Sequence, residues 1–343
     1  MMPISPLMKS IQHKIDNKTK PLGALGQLEE VALQMALIQA RGSAHAPEKI
    51  EINQPTLILF AGDHGIAEQG VSIAPSVVTQ QMVANFLKGG AAANCFCRVN
   101  DVAMQIVDCG MIARVSSDNP DYFEQPLGNG TQDFSAEPAM TPEHVERGLK
   151  KGAERVHQIA TQGCNTVLLG EMGIANTSSA SAILAALSQQ PVEQCVGYGT
   201  GITNDQLELK KALIETALAR FDSRDPKEVL AEVGGFEIVQ MVGAFIAAQE
   251  RNIAVLVDGF IVTIAAYVAS LIKPACLQQM IFAHRSHESG HQLVLSLLEA
   301  KPLLDLDLRL GEGTGAVLAL PLLRASAEFY NNMASFEQAG VTV

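Results

Sequence analysis

Pro55-Thr-Leu-Ile-Leu-Phe-Ala-Gly-Asp-His-Gly65 begins with an apolar run and ends in a small polar loop that contains two glycines. A short apolar run bounded in this way is typical of a strand that is buried on both faces. The same order of run and loop recurs along the chain, and helical stretches lie between the repeats. Alternating strands and helices predict an α/β protein with a doubly wound, mostly parallel sheet and helices on both faces.

Six further apolar runs repeat this order, at 102–107, 166–169, 194–196, 253–257, 280–283 and 303–310. Helical stretches are predicted at 77–98, 143–161, 178–188, 206–220 and 236–248. Ligands of such folds bind at the carboxyl ends of the strands, so the polar residues after the runs should converge on one crevice. Residues 116–138 fit no element, and we expect a long loop or flap there.

The composition excludes several classes of partner. The 343 residues are 48% hydrophobic and 17% charged, which indicates a compact globular protein. The formal net charge is −12, and no block of basic residues is present, so neither nucleic acid nor an anionic membrane is an expected partner. Residues 5–41 have helical spacing on both sides of a turn at 20–26, which predicts two helices before the first strand.

Cysteine usage and the N-terminal residues predict a cytoplasmic protein. The six cysteines form no C-x-x-C pair, as expected for free thiols in a reducing compartment. Residues 1–20 are polar and resemble no signal peptide. The most apolar run, 253–272, is interrupted by Asp258 and Gly259, which argues against a membrane span.

Arg309-Leu-Gly-Glu-Gly-Thr-Gly-Ala316 places one acid, Glu312, among three glycines. Glycines let a ligand approach the backbone closely, so Glu312 is a candidate general base. Taken alone, the stretch favours a tight turn that carries a solvated glutamate.

Two other glycine loops suit an anionic ligand. Gly170-Glu-Met-Gly-Ile-Ala-Asn-Thr-Ser-Ser179 leads into a helix, where backbone N–H groups can hold a phosphate, although simple helix capping explains the same residues. It matches neither the Walker A pattern nor G-x-G-x-x-G. Gly197-Tyr-Gly-Thr-Gly201 precedes Lys210 and Lys211, either of which could neutralise a phosphate or lie exposed on a helix.

A metal-dependent hydrolase is the alternative interpretation. His287-Glu-Ser-Gly-His291 has the H-E-x-x-H spacing of zinc proteases, and Asp63 with His64 could serve as further ligands beside Glu312. However, this motif follows the run 280–283 directly and contains Gly290, so it reads better as a loop that caps a helix. A third hypothesis is a nucleotide-binding protein without catalytic activity.

Taken together, these motifs make the chain resemble the nicotinate-nucleotide:dimethylbenzimidazole phosphoribosyltransferases of cobalamin lower-ligand assembly, over nearly its whole length. The main anchors are Lys20-Pro-Leu-Gly-Ala-Leu-Gly-Gln-Leu-Glu29, Ala61-Gly-Asp-His-Gly-Ile-Ala-Glu-Gln-Gly-Val-Ser72, Gly170-Glu-Met-Gly-Ile-Ala-Asn-Thr177, Gly199-Thr-Gly201, Glu232-Val-Gly-Gly-Phe-Glu237, Val257-Asp-Gly-Phe260, Ser289-Gly-His291 and Leu310-Gly-Glu-Gly-Thr-Gly-Ala316. The resemblance implies a Rossmann-like large domain at 51–319, and a small helical domain built from 1–50 together with 320–343.

The resemblance also implies an activity and its residues. Phosphoribose would pass from nicotinate mononucleotide to 5,6-dimethylbenzimidazole or a related lower-ligand base, with inversion at the anomeric carbon, no metal or organic cofactor, and a homodimeric enzyme. Glu312 would be the general base and Glu171 the second acid. The remaining implied contacts are, for substrate and phosphate, Gly173, Asn176, Thr177, Ser178, Gly199, Thr200, Gly201, Lys210, Ser286, Gly311 and Gly313, and, for the base pocket, Asp63, Ser72, Ala74 and Met172.

Three positions depart from the family pattern. Ala74 stands where a tyrosine often lines the base pocket, Tyr198 stands where Arg or Pro is frequent, and the segment 285–287 is more charged than usual. The first departure widens the expected pocket and leaves open which base is preferred.

Overall fold

The computed structural model describes residues 5–40, 43–199 and 201–342. Within these ranges six strands form one sheet, in the order β3-β2-β1-β4-β5-β6, and every neighbouring pair is parallel. The strands are β1 Thr56–Gly62, β2 Ala103–Gly110, β3 Tyr122–Glu124, β4 Thr166–Met172, β5 Ala254–Val257 and β6 Met280–Phe282. This is the doubly wound order, in which the strand sequence reverses direction between β1 and β4.

Helices connect the strands and cover both faces of the sheet. In the described ranges they are α1 Pro6–Asp16, α2 Gln27–Gln39, α3 Val77–Leu87, α4 Ala92–Val99, α5 Pro142–Thr161, α6 Asn176–Ser188, α7 Val192–Cys195, α8 Asn204–Leu218, α9 Pro226–Val233, α10 Phe236–Arg251, α11 Phe260–Ile272, α12 Ser289–Leu297, α13 Thr314–Asn332 and α14 Phe336–Ala339, with short 3₁₀ helices at Gly65–Gln69 and Pro274–Gln279. No helix in this described part is long and apolar enough to cross a membrane.

Two apolar clusters lie on opposite faces of the sheet, because successive side chains of a strand point in opposite directions. Ile58 and Phe60 of β1 belong to one cluster, together with residues of α5, α6, α10 and α11. Leu57 and Leu59 belong to the other, together with residues of α1 to α4 and α13. The predicted α/β fold, with a parallel sheet between two helical layers, is therefore confirmed.

The chain ends pack on the second of these faces. The two helices predicted within 5–41 are confirmed as α1 and α2, and both share the second cluster with α13. α13 is continuous across the predicted boundary at 320. The division into a domain at 51–319 and a helical domain from 1–50 and 320–343 stays a prediction.

Three local predictions were wrong. Residues 194–196 are not a strand, because Pro191 initiates the short helix α7 across most of them. The run 303–310 also forms no strand; it makes a single bridge, Leu304 to His284, and its Leu306 side chain is exposed, whereas a strand within a parallel sheet is covered on both faces. The long loop predicted at 116–138 contains β3, a three-residue edge strand paired with β2.

Candidate active site

A crevice of about 240 Å³ lies at the carboxyl ends of β4 and its neighbours, next to the point where the strand order reverses. Nine of the predicted site residues line it: Glu171, Met172, Gly173, Asn176, Thr177, Gly199, Ser286, Gly311 and Glu312. They come from the end of β4, the first turn of α6 and the loops before α8, α12 and α13. The expected convergence on one crevice is therefore observed for these segments, whereas the loops directly after β1 and β2 do not line it.

The loop that carries Glu312 has a left-handed backbone immediately before α13. Gly311, Glu312 and Gly313 have φ values of 85°, 62° and 76°. This conformation is easy for glycine and strained for glutamate, so the two glycines allow the turn that presents the acid. Gly170 of β4 packs against the same loop, because a Cβ atom at position 170 would lie 2.8 Å from the carbonyl carbon of Glu312.

Asp258 anchors the Glu312 loop from the end of β5. Its carboxylate accepts hydrogen bonds from the Gly313 N–H at 3.2 Å and the Ala316 N–H at 2.9 Å, so it caps the N-terminus of α13. His284 Nε2 lies 3.6 Å from the same carboxylate. Burial works to lower the pKa of His284, but the hydrogen bond and charge of Asp258 outweigh it, so that pKa is raised.

The Glu312 carboxyl is suited to accept a proton. Its side chain is buried, with a residue exposure of 5%, and its Oε2 atom has no hydrogen-bond partner. Burial is the main cause that raises the pKa of Glu312, the Asp258 charge adds to it, and the Ala93 N–H works in the opposite direction. A buried carboxylate with a free oxygen and a raised pKa has the properties of a general base near neutrality.

Glu171, at the end of β4, is a second acid in the crevice. Its Oε2 accepts a hydrogen bond from the Asn176 side-chain amide. Burial is the largest cause that raises the pKa of Glu171 to about 8, although the Asn176 hydrogen bond opposes the rise. The negative charges of Asp258, Glu237 and Glu312 add to it. Near neutral pH Glu171 is therefore mostly protonated.

The other end of the crevice is suited to an anion. Lys210 is almost completely buried, and its Nζ donates a hydrogen bond to Thr177 Oγ1 at 2.9 Å. Burial lowers the pKa of Lys210 to about 8, and the charge of Glu288 opposes that fall. Thr177 belongs to the first turn of α6, where backbone N–H groups also favour a negative charge.

His291 supports the Ser286 loop and does not bind a metal with His287. Its Nδ1 accepts a hydrogen bond from the Ser286 N–H at 2.9 Å, and its Nε2 lies 3.0 Å from Thr263 Oγ1. Burial, with the charge of His284 as a smaller cause, lowers the pKa of His291 to about 3, so the ring is neutral. The side chain of His287 is 72% exposed. The H-E-x-x-H pattern therefore has no zinc-site geometry.

The remaining ligands of the alternative hydrolase are also bound elsewhere. Asp63 Oδ2 accepts the Ile112 N–H at 2.9 Å, and His64 contacts Glu237 and Ser179. Within 5–40, 43–199 and 201–342, no three His, Cys, Asp or Glu side chains form a group that could hold a metal ion. The geometry gives the hydrolase no support.

Several predicted contacts do not line this crevice. Of the four base-pocket residues only Met172 does; Asp63 is buried behind it, and Ser72 Oγ accepts the Ala74 N–H at 3.3 Å within its own loop. Lys210 lies behind Thr177 and donates a hydrogen bond to it. Four further predicted contacts do not line the crevice either. Ser178 and Gly313 are buried, Gly201 is exposed, and Thr200 is outside the described residues.

Part of the crevice wall was not predicted. Phe260, Ile261 and Val262, in the first turn of α11, line it together with Met82 and Leu310. These apolar side chains form a surface on one side of the crevice against which an aromatic ring can pack. In the sequence, this wall is indicated only by Gly259-Phe260, which directly follows a predicted strand. Apolar residues at the start of a helix, however, usually belong to the hydrophobic core.

Comparisons with known proteins identify the family of the chain. A phosphoribosyltransferase family model matches residues 2–341. The nicotinate-nucleotide–dimethylbenzimidazole phosphoribosyltransferase of Vibrio atlanticus (strain LGP32) is 61% identical over 333 residues, covering 97% of each chain, and that of Vibrio cholerae serotype O1 is 58% identical, with the same coverage. The crystal structure of CobT from Thermus thermophilus has a TM-score of 0.93 at 42% identity, covering 98% of this chain and 99% of its own. The chain belongs to the family of nicotinate-nucleotide–dimethylbenzimidazole phosphoribosyltransferases.

Proposed function

We propose that this protein transfers the phosphoribosyl group of nicotinate mononucleotide to 5,6-dimethylbenzimidazole or a related lower-ligand base. The products are α-ribazole 5′-phosphate and nicotinate, in the assembly of the cobalamin nucleotide loop. The observation that carries the proposal is the free Oε2 of buried Glu312, in a crevice that is also lined by Thr177, the hydrogen-bond partner of Lys210. The names of the relatives supply the two substrates.

The nucleotide phosphate binds at the Thr177 end of the crevice. Lys210 supplies a positive charge and Thr177 a hydroxyl, and Gly173 and Gly199 leave space for the phosphate oxygens to approach the backbone. Ser286 contributes through its hydroxyl, because its N–H is already bonded to His291. Asn176, Ser178, Thr200, Gly201, Gly311 and Gly313 remain proposed contacts or supports of this substrate.

The acceptor base lies against the apolar wall, with its azole N–H toward Glu312. Glu312 accepts the N–H proton while the azole forms a bond to the anomeric carbon. The bond from that carbon to the pyridinium nitrogen breaks, and nicotinate leaves with the electron pair. Attack from the face opposite the leaving group inverts the anomeric centre. Alignment of two aromatic rings with one ribosyl carbon is mainly a positioning task, which a preformed crevice performs.

Glu171 is the second acid of the proposed mechanism. With a pKa of about 8, it is mostly protonated at pH 7, so it adds little negative charge beside Glu312. Its carboxyl O–H group can donate a hydrogen bond to an oxygen of the bound nucleotide. The two acids thus have separate roles: Glu312 accepts a proton and Glu171 donates a hydrogen bond.

The choice of acceptor depends on the base pocket. Met172 contacts the crevice directly, whereas Asp63, Ser72 and Ala74 would act from the loops behind and beside it. The small Ala74 side chain supports a pocket that accepts bases other than dimethylbenzimidazole. We also propose a cytoplasmic homodimer that needs no metal or organic cofactor.

The test is incubation of the purified protein with nicotinate mononucleotide and a panel of azoles and phenols, with products identified by mass. We expect nicotinate release and an α-ribazole 5′-phosphate from at least one benzimidazole. Chelator-treated protein should retain the activity, whereas a metal-dependent enzyme would lose it. Absence of product from every acceptor would reject the transferase and favour a protein that only binds nucleotides.

A further inference from the structure

We propose that His64 and Glu237 form a buried positioning pair that holds the first turn of α6 beneath Glu171 and keeps a negative charge beside that carboxyl. The proposal rests on the transferase function above, because it assigns the pair a role toward an acid of that site. Neither residue lines the crevice, so the pair acts through its neighbours.

The pair joins three elements that end at the crevice. His64 follows β1, and its Nε2 lies 2.7 Å from Oε1 of Glu237, in the first turn of α10. The His64 Nδ1 lies 3.0 Å from Oγ of Ser179, which belongs to the first turns of α6. All three residues are buried, with exposures of 1% or less. The contacts therefore fix the start of α6 relative to the sheet and to α10.

Both nitrogens of the His64 ring have hydrogen-bond partners within the protein. Nε2–H donates to Glu237, and Nδ1 accepts the Ser179 hydroxyl. The Ser179 hydroxyl also lies 3.4 Å from the Gly234 carbonyl. In this arrangement the ring is fixed and the pair carries the charge of the Glu237 carboxylate.

Gly173 links the pair to the crevice. A Cβ atom at position 173 would lie 3.3 Å from both His64 Nε2 and Asn176 Nδ2, so the ring and the amide lie on either side of this glycine. Asn176 in turn donates its hydrogen bond to Glu171. The route from His64 to the acid therefore consists of one glycine and one amide.

Glu237 also acts on Glu171 through its charge. Its Oε2 is buried without a hydrogen-bond partner, so the charge is poorly neutralised on that side. Glu237 is one of the three carboxylates that raise the pKa of Glu171; the others are Asp258, after β5, and Glu312, before α13.

Two further ionisable groups face the pair. Asp63, next to His64, has a pKa raised mainly by burial; the His64 charge lowers it and the Glu237 charge raises it. The pKa of the Cys109 thiol, on β2, is raised far above its usual value by burial and then by Glu237. Both shifts keep the two groups protonated to a higher pH than in water.

The decisive measurement is the pH profile of kcat. The inflection that belongs to Glu171 is first identified as the one that Glu171→Gln abolishes. Glu237→Gln keeps the shape of the side chain and removes its charge, so we expect this inflection to move to lower pH by roughly 0.5–1 unit. Ser179→Ala removes one hydrogen bond of His64 and leaves the Glu237 carboxylate in place, so its inflection should stay at the wild-type pH.

Glu250→Gln is the matched control, because it removes a partly exposed charge at the opposite end of α10. Its profile should coincide with that of the wild type. If Glu237→Gln does not fold, Glu237→Asp withdraws the charge by one methylene group and should produce a smaller shift in the same direction. A Glu237→Gln or Glu237→Asp protein that is folded, with a wild-type inflection, overturns the proposal.

A second readout separates this inference from the proposed function. The ¹³C chemical shift of the Glu171 carboxyl can be titrated in labelled protein without any turnover. A wild type that makes no product would reject the transferase, while the ¹³C titrations of wild type and Glu237→Gln would still decide the role of the pair.

Discussion

Replacement of Glu312 by glutamine tests the assignment of the general base. Glutamine keeps the size of the side chain and the same strain at a φ of 62°, but it cannot accept the azole proton. A positioned base contributes roughly 10²–10⁴-fold to a rate, which corresponds to about 3–5 kcal/mol of transition-state stabilisation. We therefore expect kcat to fall by this factor, while the Kd for nicotinate mononucleotide stays close to that of the wild type.

The structure provides a close control for this variant. Glu299 is also a glutamate with a positive φ, 52°, but it is exposed and does not line the crevice. Glu299→Gln should have wild-type kcat and the same small change in thermal stability as Glu312→Gln. Initial rates from chromatography of the released nicotinate, together with calorimetric titration of the nucleotide, measure both quantities. Turnover of Glu312→Gln within about threefold of the wild type, far short of the loss expected for a positioned base, would refute the assignment.

Four further predictions concern the supports of the site. Asp258→Asn should weaken the α13 cap, lower the free energy of unfolding by roughly 0.5–2 kcal/mol in denaturant titrations, and reduce kcat because the Glu312 loop loses its anchor. Lys210→Met should raise the nucleotide Kd by roughly 10–100-fold, whereas the control Lys211→Met, also on α8, should leave the Kd unchanged. The affinity of the wild type for the nucleotide should also weaken as the pH rises through about 8, where Lys210 loses its proton. Gly170→Ala should destabilise the protein by roughly 1–3 kcal/mol, since its Cβ would contact the Glu312 backbone. His291 is neutral in the folded protein but can be protonated in the unfolded chain, so the free energy of unfolding should fall as the pH drops below about 6.5. Thermal melts at about pH 5–7 should show a weaker pH dependence for His291→Gln than for the wild type.

Much of the fold could be predicted because parallel strands are buried on both faces. The runs at β1 and β4 are continuous and apolar, so the sequence alone predicts both strands. The run 303–310 alternates leucine with charged residues after 304, which resembles a strand pattern equally well. Only the three-dimensional structure shows that it lacks a neighbouring strand beyond a single bridge to His284, shortly after β6. Sequence periodicity indicates which side chains can be buried, but it does not indicate whether a neighbouring strand is available for pairing.

Site residues that belong to a local sequence motif could be predicted. Residues whose role depends on contacts with distant parts of the sequence could not. Glu312 and Glu171 lie in glycine loops whose composition itself suggests a ligand. Asp258 carries no such signal, because its role as a cap depends on α13, which comes from a distant part of the sequence. Phe260 resembles any apolar residue at the start of a buried helix until the structure places it on the crevice wall.

The same reasoning explains why His287-Glu-Ser-Gly-His291 is not a zinc site although its spacing fits one. A zinc helix must place both histidines on one accessible face, and here α12 begins only at Ser289. His287 therefore lies outside the helix and in solvent, while His291 uses both ring nitrogens within the protein. The glutamate at 312, in contrast, is buried with one carboxylate oxygen free, in a loop held by Asp258 and Gly170. Burial together with an unused hydrogen-bonding atom, rather than sequence spacing, distinguishes the proposed general base from the structural histidine.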